Sequence, residues 1–186
     1  MKKSPRRSAN QRRKSKAMTR PYTGTKDGAA NGKRGGLEQF VREVTALSDG
    51  ALWNNGTWVV RNMRGKESLS VHATGRAVDL SYRKVGALGK ADGRKHALET
   101  LDILLANWRY LHIECVLDYF PQPHGRGWRC DRAAWQDYTS KAITGAPGGD
   151  WLHIEIGPKF ADNAEEYKTR FAHIRNGTVP PPKTDA

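Results

Sequence analysis

Residues 70–80 read SVHATGRAVDL, and residues 148–156 read GGDWLHIEI. In the first stretch, side chains from 77 to 82 alternate between the two faces of a strand, and Asp79 lies on one of them. In the second, the run WLHIEI is typical of a short strand with His153 at its middle. Two strands that carry chemically useful side chains are therefore the starting point for the predicted fold.

Apolar residues at helical spacing predict three helices around these strands. The first covers residues 37–47, and the second covers roughly residues 92–110. The third begins at Asp162, with Glu165 as the other member of a capping box, and Gly177 ends it.

Further strands are predicted at TWVV, residues 57–60, and at HIECVLD, residues 112–118. Residues 119–149 are rich in Pro, Gly and Arg and are predicted to form a long excursion, which in a compact domain tends to be functional. Together the elements predict an α+β fold, a small antiparallel sheet with helices packed against it.

The positive charge is concentrated at the beginning of the chain. The net charge is +13, and residues 1–20 carry nine lysines and arginines and no acidic residue. Residues 1–36, basic and then glycine-rich, are predicted to be a disordered arm and linker, followed by a domain over 37–177 and a tail over 178–186. A solubilising arm and an arm that binds a polyanion both fit this segment.

Composition also bears on the compartment. The first residues lack the apolar run of a secretory signal peptide, and no segment approaches the roughly 18 apolar residues of a membrane span. Two cysteines, Cys115 and Cys130, set no disulfide framework and fit a reduced compartment. We expect a monomer with buried free thiols, and a single bridge is the alternative.

Two histidines and two aspartates have the spacing of a metal site. His72 and Asp79 are seven residues apart, and Gly75 permits a tight turn that lets a loop histidine and a strand aspartate converge. With His153 they supply three ligands of the kinds that zinc binds and leave one coordination position for water. Asp150 is then the carboxylate left over to transfer protons.

The direction of Asp150 depends on the entry into the strand. By strict alternation Asp150 and His153 point to opposite faces, so a bend at Gly148-Gly149 is needed to turn the carboxylate toward the metal. Ser70 and Glu155 are candidates for orienting the ligands through hydrogen bonds. The alternative is a buried strand histidine that pairs with Glu155 and binds no metal.

These two motifs resemble those of the zinc D-alanyl-D-alanine dipeptidases and carboxypeptidases of the VanX and VanY type. They are equally similar to the L-alanyl-D-glutamate endopeptidases found as bacteriophage endolysins. The family motifs, SxHxxGxAxD and an acid two residues before a histidine, are matched by Ser70, His72, Gly75, Ala77, Asp79, Asp150 and His153. VanX-type members carry Glu at the acid position, so the aspartate here is more similar to the phage endopeptidases.

The resemblance implies a VanX/VanY-like peptidase fold with its zinc site at a face of the sheet. It implies that His72, Asp79 and His153 bind Zn²⁺ and that Asp150 is the catalytic acid and base.

The family also places an arginine upstream of the first motif, where it holds the scissile carbonyl or a substrate carboxylate. Arg61 and Arg64 are both candidates, and Arg61 is preferred because it ends the predicted TWVV strand.

The implied substrate is the stem or cross-link peptide of bacterial peptidoglycan. A phage endolysin of this kind is made in the host cytoplasm without a signal peptide and acts on the cell wall, and residues 1–20 would help it approach anionic envelope polymers. Two alternatives remain open: a D,D-carboxypeptidase of the same family, and a nucleic-acid-binding or virion protein that acts through its basic arm.

Overall fold

A computed structural model of the chain describes residues 19–63, 65–83, 90–140 and 148–181. Within these ranges the helices are α1 (Gly35–Leu47), α2 (Lys90–Ala106) and α3 (Ala164–Arg175). The strands are β1 (Trp53–Gly56), β2 (Ala77–Ser81), β3 (Ile113–Asp118), β4 (Arg126–Arg129), β5 (Ala134–Asp137) and β6 (Trp151–Ile156). All pairings are antiparallel, in the order β1-β2-β6-β3-β4-β5, so the predicted α+β class with an antiparallel sheet is confirmed.

The central strands have one apolar face and one polar face. Val78 of β2 and Leu152 and Ile154 of β6 are fully buried in a core shared with the three helices. Burying each such side chain contributes roughly 1.5–3 kcal/mol. Because side chains alternate along a strand, Asp79 and His153 lie on the opposite face from this core.

The first helix packs closely against the third, and glycine makes this approach possible. Phe40 meets the rings of Tyr167 and Phe171 edge-on, with centroids 5.4 and 5.7 Å away. A Cβ on Gly36 would lie 1.9 Å from the carbonyl oxygen of Phe160, so only glycine fits there. The glycines assigned to a linker therefore form the first turn of α1.

The third helix begins two residues later than predicted, at Ala164 rather than Asp162. The side chain of Asn163 accepts a hydrogen bond from the N–H of Glu166 at 3.1 Å and caps the helix. Asp162 is engaged elsewhere, since both of its carboxylate oxygens accept hydrogen bonds from Arg34.

The predicted excursion over 119–149 was wrong in its middle, where β4 and β5 form a hairpin that extends the sheet. Trp128 of β4 is buried edge-on against Trp108, with ring centroids 5.1 Å apart. Trp108 lies beyond the end of α2, which stops at Ala106 and not at residue 110. The Gly and Arg residues of this stretch interrupt the alternation of apolar and polar residues from which a strand is predicted.

The predicted strand TWVV at 57–60 was also wrong, because the strand lies just before it, over Trp53–Gly56. At Gly56 the register shifts and φ reaches +144°, so the chain leaves the sheet. Val59 and Val60 are exposed, at 44% and 57% of their surface. β-branched composition alone misplaced this element by four residues.

Residues 19–34, which we call the N-terminal strap, pack against the sheet, so this part of the predicted arm and linker was wrong. Glu114 is fully buried and accepts hydrogen bonds from Arg20 at 3.0 Å, from Thr23 at 2.7 Å and from Arg76 at 3.3 Å. Buried charges are tolerated only when they are paired in this way. The ordered domain thus begins before residue 37, while residues 1–18 and 182–186 of the predicted arm and tail lie outside the described ranges.

Cys115 and Cys130 are both buried free thiols, as expected from the sequence. Burial raises the pKa of Cys130 to about 11. Among the helices of the described residues, none combines the length and the apolar character that crossing a membrane requires.

Candidate metal centre

Three elements bring the predicted ligands together. His72 lies in a 3-10 turn, Val71–Thr74, that ends at Gly75 with a φ of +68°. Asp79 is at the middle of β2 and His153 at the middle of β6, and the two residues are directly paired across the strands. The left-handed glycine reverses the chain between turn and strand, as the spacing of the motif predicted.

The three ligand atoms lie close to one point. Oδ1 of Asp79 is 2.9 Å from Nδ1 of His153 and 3.4 Å from Nε2 of His72. Within the described residues, this is the group whose ligand atoms all lie within 4.8 Å of one another. The two histidines are buried and Asp79 is half-buried, so the group is reached from the side of the carboxylate.

His72 is oriented by the loop that precedes it. Its Nδ1 lies 2.7 Å from the carbonyl oxygen of Thr57, and since a carbonyl can only accept, Nδ1 carries the proton. Nε2 is then the nitrogen that faces Asp79, and it is the one left to bind a metal. A backbone acceptor of this kind fixes the tautomer of a ligating histidine. Sequence reasoning missed Thr57, because a backbone carbonyl leaves no residue-type signal.

His153 is held between two carboxylates. Its Nδ1 faces Asp79, and its Nε2 lies 3.0 Å from Oε1 of Glu155, two residues along the same strand face. A proton on Nε2 donated to Glu155 leaves the Nδ1 lone pair for a metal. Glu155 was predicted to orient a ligand, and the structure places it in contact with His153.

The second oxygen of Glu155 has a partner that the sequence did not reveal. Tyr22 of the N-terminal strap donates its hydroxyl hydrogen bond to Oε2 of Glu155 at 2.7 Å. The two residues are 133 positions apart. Nothing in the composition of the basic segment around Tyr22 points to this contact.

The charges of the group are balanced for a cation. Burial lowers the pKa of His153, but hydrogen bonds with Asp79 and Glu155 outweigh it and raise the pKa to about 10. Burial raises the pKa of Asp79, and its hydrogen bonds with His153 and His72 lower it further than burial raises it. In the metal-free protein the imidazolium of His153 therefore lies between two carboxylates. A metal cation bound beside Asp79 would replace the proton on Nδ1.

Two nitrogens and one carboxylate oxygen form a donor set that suits zinc. Ligands bonded to a tetrahedral zinc at about 2.0–2.2 Å lie about 3.3–3.6 Å apart. The two distances from Asp79, 3.4 and 2.9 Å, are near this spacing. His72, Asp79 and His153 thus could hold a metal ion with small side-chain adjustments.

Asp150 is placed next to the site's strand but outside the three-residue ligand group. Its carbonyl accepts hydrogen bonds from the N–H of Tyr82 at 3.0 Å and the hydroxyl of Ser81 at 3.3 Å. Its carboxylate is 3.3 Å from Nε of Arg83. Gly148 has a φ of +75°, so the chain turns at this glycine, while the direction of the Asp150 carboxylate toward the metal stays a prediction.

The remaining predicted residues lie in the loop before the 3-10 turn. Ser70 is buried, and its N–H donates to the carbonyl of Arg61 at 3.0 Å while its own carbonyl accepts from Ala73 at 2.9 Å. Ser70 therefore fixes the turn through its backbone. Arg61 is exposed, and its guanidinium is 3.4 Å from the carbonyl of Asn62. Arg64 lies outside the described residues.

In comparisons with known proteins, no family model, no curated protein and no solved structure matches the chain significantly.

Proposed function

We propose that the protein is a zinc peptidase that cleaves the stem peptides of bacterial peptidoglycan, in the manner of the L-alanyl-D-glutamate endopeptidases of phage endolysins. The observation that carries this proposal is the group of His72, Asp79 and His153, with each histidine oriented by an acceptor on its other nitrogen. The spacing of these residues matches the peptidase motifs.

A bound zinc supplies a hydroxide nucleophile near neutral pH, because it lowers the pKa of its water to about 7. The chain's own residues have separate tasks in this proposal. His72, Asp79 and His153 hold the ion, and the half-buried Asp79 marks the side from which substrate arrives. Asp150 accepts a proton as the amide is attacked and returns it to the leaving amine. Arg61 holds the scissile carbonyl or a carboxylate of the substrate.

An aromatic wall beside the ligands supports a peptide substrate. Trp151 lies on the same strand face as His153, and its ring is 4.8 Å from that of Tyr119. Burial, and then the negative charge of Asp79, raise the pKa of Tyr119, so its hydroxyl stays a hydrogen-bond donor close to the site. Tyr119 is buried, so the half-buried Trp151 is the ring against which a short peptide would stack.

The setting that follows is a monomeric lysin that is made in the host cytoplasm and acts on the cell wall. The eight lysines and arginines among residues 1–18 would attract anionic envelope polymers. The same charge is the observation that favours the second candidate, a nucleic-acid-binding or virion protein. Deleting residues 1–18 separates the two: a peptidase keeps its activity, whereas a protein that acts through the arm loses its binding.

The decisive experiment is mass spectrometry of fragments released from purified peptidoglycan, with and without a zinc chelator. The proposal expects new L-alanine carboxyl ends and new D-glutamate amino ends that disappear on chelation. Free D-alanine would indicate a D,D-carboxypeptidase instead. A folded sample that yields no chelator-sensitive product contradicts the peptidase assignment.

A further inference from the structure

The N-terminal strap crosses the sheet next to the candidate metal centre. It is attached to the end of β4, to β3 and to the turn that bears His72 through hydrogen bonds from Arg20 to Cys130 at 3.1 Å, from Thr23 to Glu114 at 2.7 Å and from Ala30 to Ala73 at 2.8 Å. Between Thr23 and Ala30, both carboxylate oxygens of Asp27 accept hydrogen bonds from the fully buried Arg76 at 2.8 Å. Because the strap is already held at several points, little further conformational entropy is lost when one of its side chains orients another residue.

Tyr22 lies between these attachments and is fixed by its neighbours. Its ring lies under the guanidinium of Arg129, 4.5 Å from the ring centroid. Arg20 and Thr23, on either side of it, both donate to Glu114. The phenol is a donor here, because its partner Glu155 is a carboxylate that can only accept.

Glu155 uses one oxygen for each of two partners. Oε1 faces Nε2 of His153 at 3.0 Å, and Oε2 accepts from Tyr22 at 2.7 Å. The side chain is 6% exposed, so water does not compete for these positions. Without Tyr22, the carboxylate would keep one hydrogen bond and could rotate away from the imidazole.

We propose that Tyr22 is a positioning residue of the metal centre, whose hydroxyl holds Glu155 in the one orientation that keeps the proton of His153 on Nε2 and its Nδ1 lone pair on the metal. This inference rests on the metal centre of the proposed peptidase. The N-terminal strap is then part of the site, although Tyr22 precedes the first ligand, His72, by 50 residues of sequence.

The test measures zinc affinity by competition with a chromogenic chelator, in the full chain and four variants. Tyr22→Phe removes only the hydroxyl and is expected to weaken zinc binding about tenfold, the lower end for losing an outer hydrogen-bond partner. Tyr110→Phe is the matched control, because it removes a tyrosine hydroxyl that lies 2.5 Å from Nδ1 of His173 on α3. It is expected to leave zinc affinity unchanged.

The third and fourth variants, Glu155→Gln and the double substitution Tyr22→Phe with Glu155→Gln, show whether Tyr22 acts through Glu155. The expected result is that Tyr22→Phe adds less than a twofold further loss in the Glu155→Gln background. A tenfold loss in both backgrounds, or an unchanged affinity in Tyr22→Phe, overturns the inference, and so does a wild-type protein that binds no zinc. A wild-type protein that binds zinc but releases no peptidoglycan fragments contradicts the proposed function and leaves this affinity test intact.

Discussion

Asp79 and His153 occupy directly opposite positions on strands β2 and β6, and Oδ1 of Asp79 lies 2.9 Å from Nδ1 of His153. The register of the sheet sets this pairing, so the carboxylate and the imidazole start from neighbouring Cβ atoms and stay within reach of each other. His72 completes the group from the turn before β2. The sheet thus positions two of the candidate ligands and leaves the third on a short turn.

Removing either histidine should abolish metal binding. His72→Ala and His153→Ala are each expected to lose the zinc-dependent rise in Tm, since a site left with two ligands binds weakly. In the wild type, zinc at 100 times its dissociation constant should stabilise the fold by about 2.7 kcal/mol. Differential scanning calorimetry with and without zinc measures this. His96→Ala, which alters a half-buried histidine on α2 outside the ligand group, is the control and should keep the shift. A full shift in His153→Ala would remove this residue from the ligand set.

Asp150→Asn should retain zinc and lose turnover. The substitution keeps the shape of the side chain and removes its ability to accept a proton, which is worth typically 10²–10⁴-fold in rate. Release of peptidoglycan fragments and zinc affinity are measured in parallel. Asp102→Asn, at an exposed position of α2, is the control and should leave both unchanged. If Asp150→Asn cleaves at the wild-type rate, the proton is carried by another group.

The sequence predicted those parts of the site that depend on spacing within one strand or turn. His72, Gly75 and Asp79 converge as expected, because a left-handed glycine and a period of two determine where the side chains point. His153 joins them because its strand pairs with β2. These are local rules, and each motif contains the residues that satisfy them.

Contacts made by the backbone or across long separations were not predictable. The carbonyl of Thr57 orients His72 without any requirement on residue type. Tyr22 reaches Glu155 from a segment whose charge was typical of disorder, and that segment is held by partners far along the chain, among them the buried Glu114 and Arg76. Similarly, TWVV has the composition of a strand, yet Gly56 ends the pairing before it.

The turn that carries His72 should depend on Gly75 beyond the usual preference for glycine at positive φ. A Cβ at Gly75 would lie 2.8 Å from the side chain of Arg34, which Asp162 holds, and 3.2 Å from the carbonyl of Gly32. Gly75→Ala is therefore expected to lower the free energy of unfolding by more than the roughly 1–2 kcal/mol of left-handed strain, and to weaken zinc binding. Urea denaturation of the metal-free protein and chelator competition measure the two effects.

Gly65→Ala is the matched control for Gly75→Ala. Gly65 has a φ of +70°, close to the +68° of Gly75, but a Cβ there would meet nothing within 4 Å. Gly65→Ala should lose only the unfolding free energy that left-handed strain costs, and its zinc affinity should be unchanged. Equal losses of stability and equal zinc affinities in the two variants would show that the contact with Arg34 does not matter for the site.

Acid should destabilise the protein partly through His112, which lies just before β3. Its Nδ1 is buried and has no hydrogen-bond partner among the described residues. Burial, aided by the charges of Arg20, Lys159 and Arg170, lowers its pKa to about 3. The unfolded chain binds a proton at this histidine near its ordinary value of about 6.5, whereas the folded protein does not until about pH 3. Stability from this residue is therefore present above pH 6.5 and is lost as the pH falls from there toward 3.

Replacing His112 with a residue that does not titrate should flatten this dependence. The position has a φ of +55°, which asparagine and glycine both tolerate, so His112→Asn and His112→Gly are compared. Urea denaturation of the metal-free protein at several values between pH 4 and 8 should show the same shallower decline toward acid in both variants, whatever their stability at pH 8. Parallel curves for the wild type and both variants would mean that His112 is protonated equally in the folded and unfolded states. In that case the buried Nδ1 would not be what makes the fold sensitive to acid.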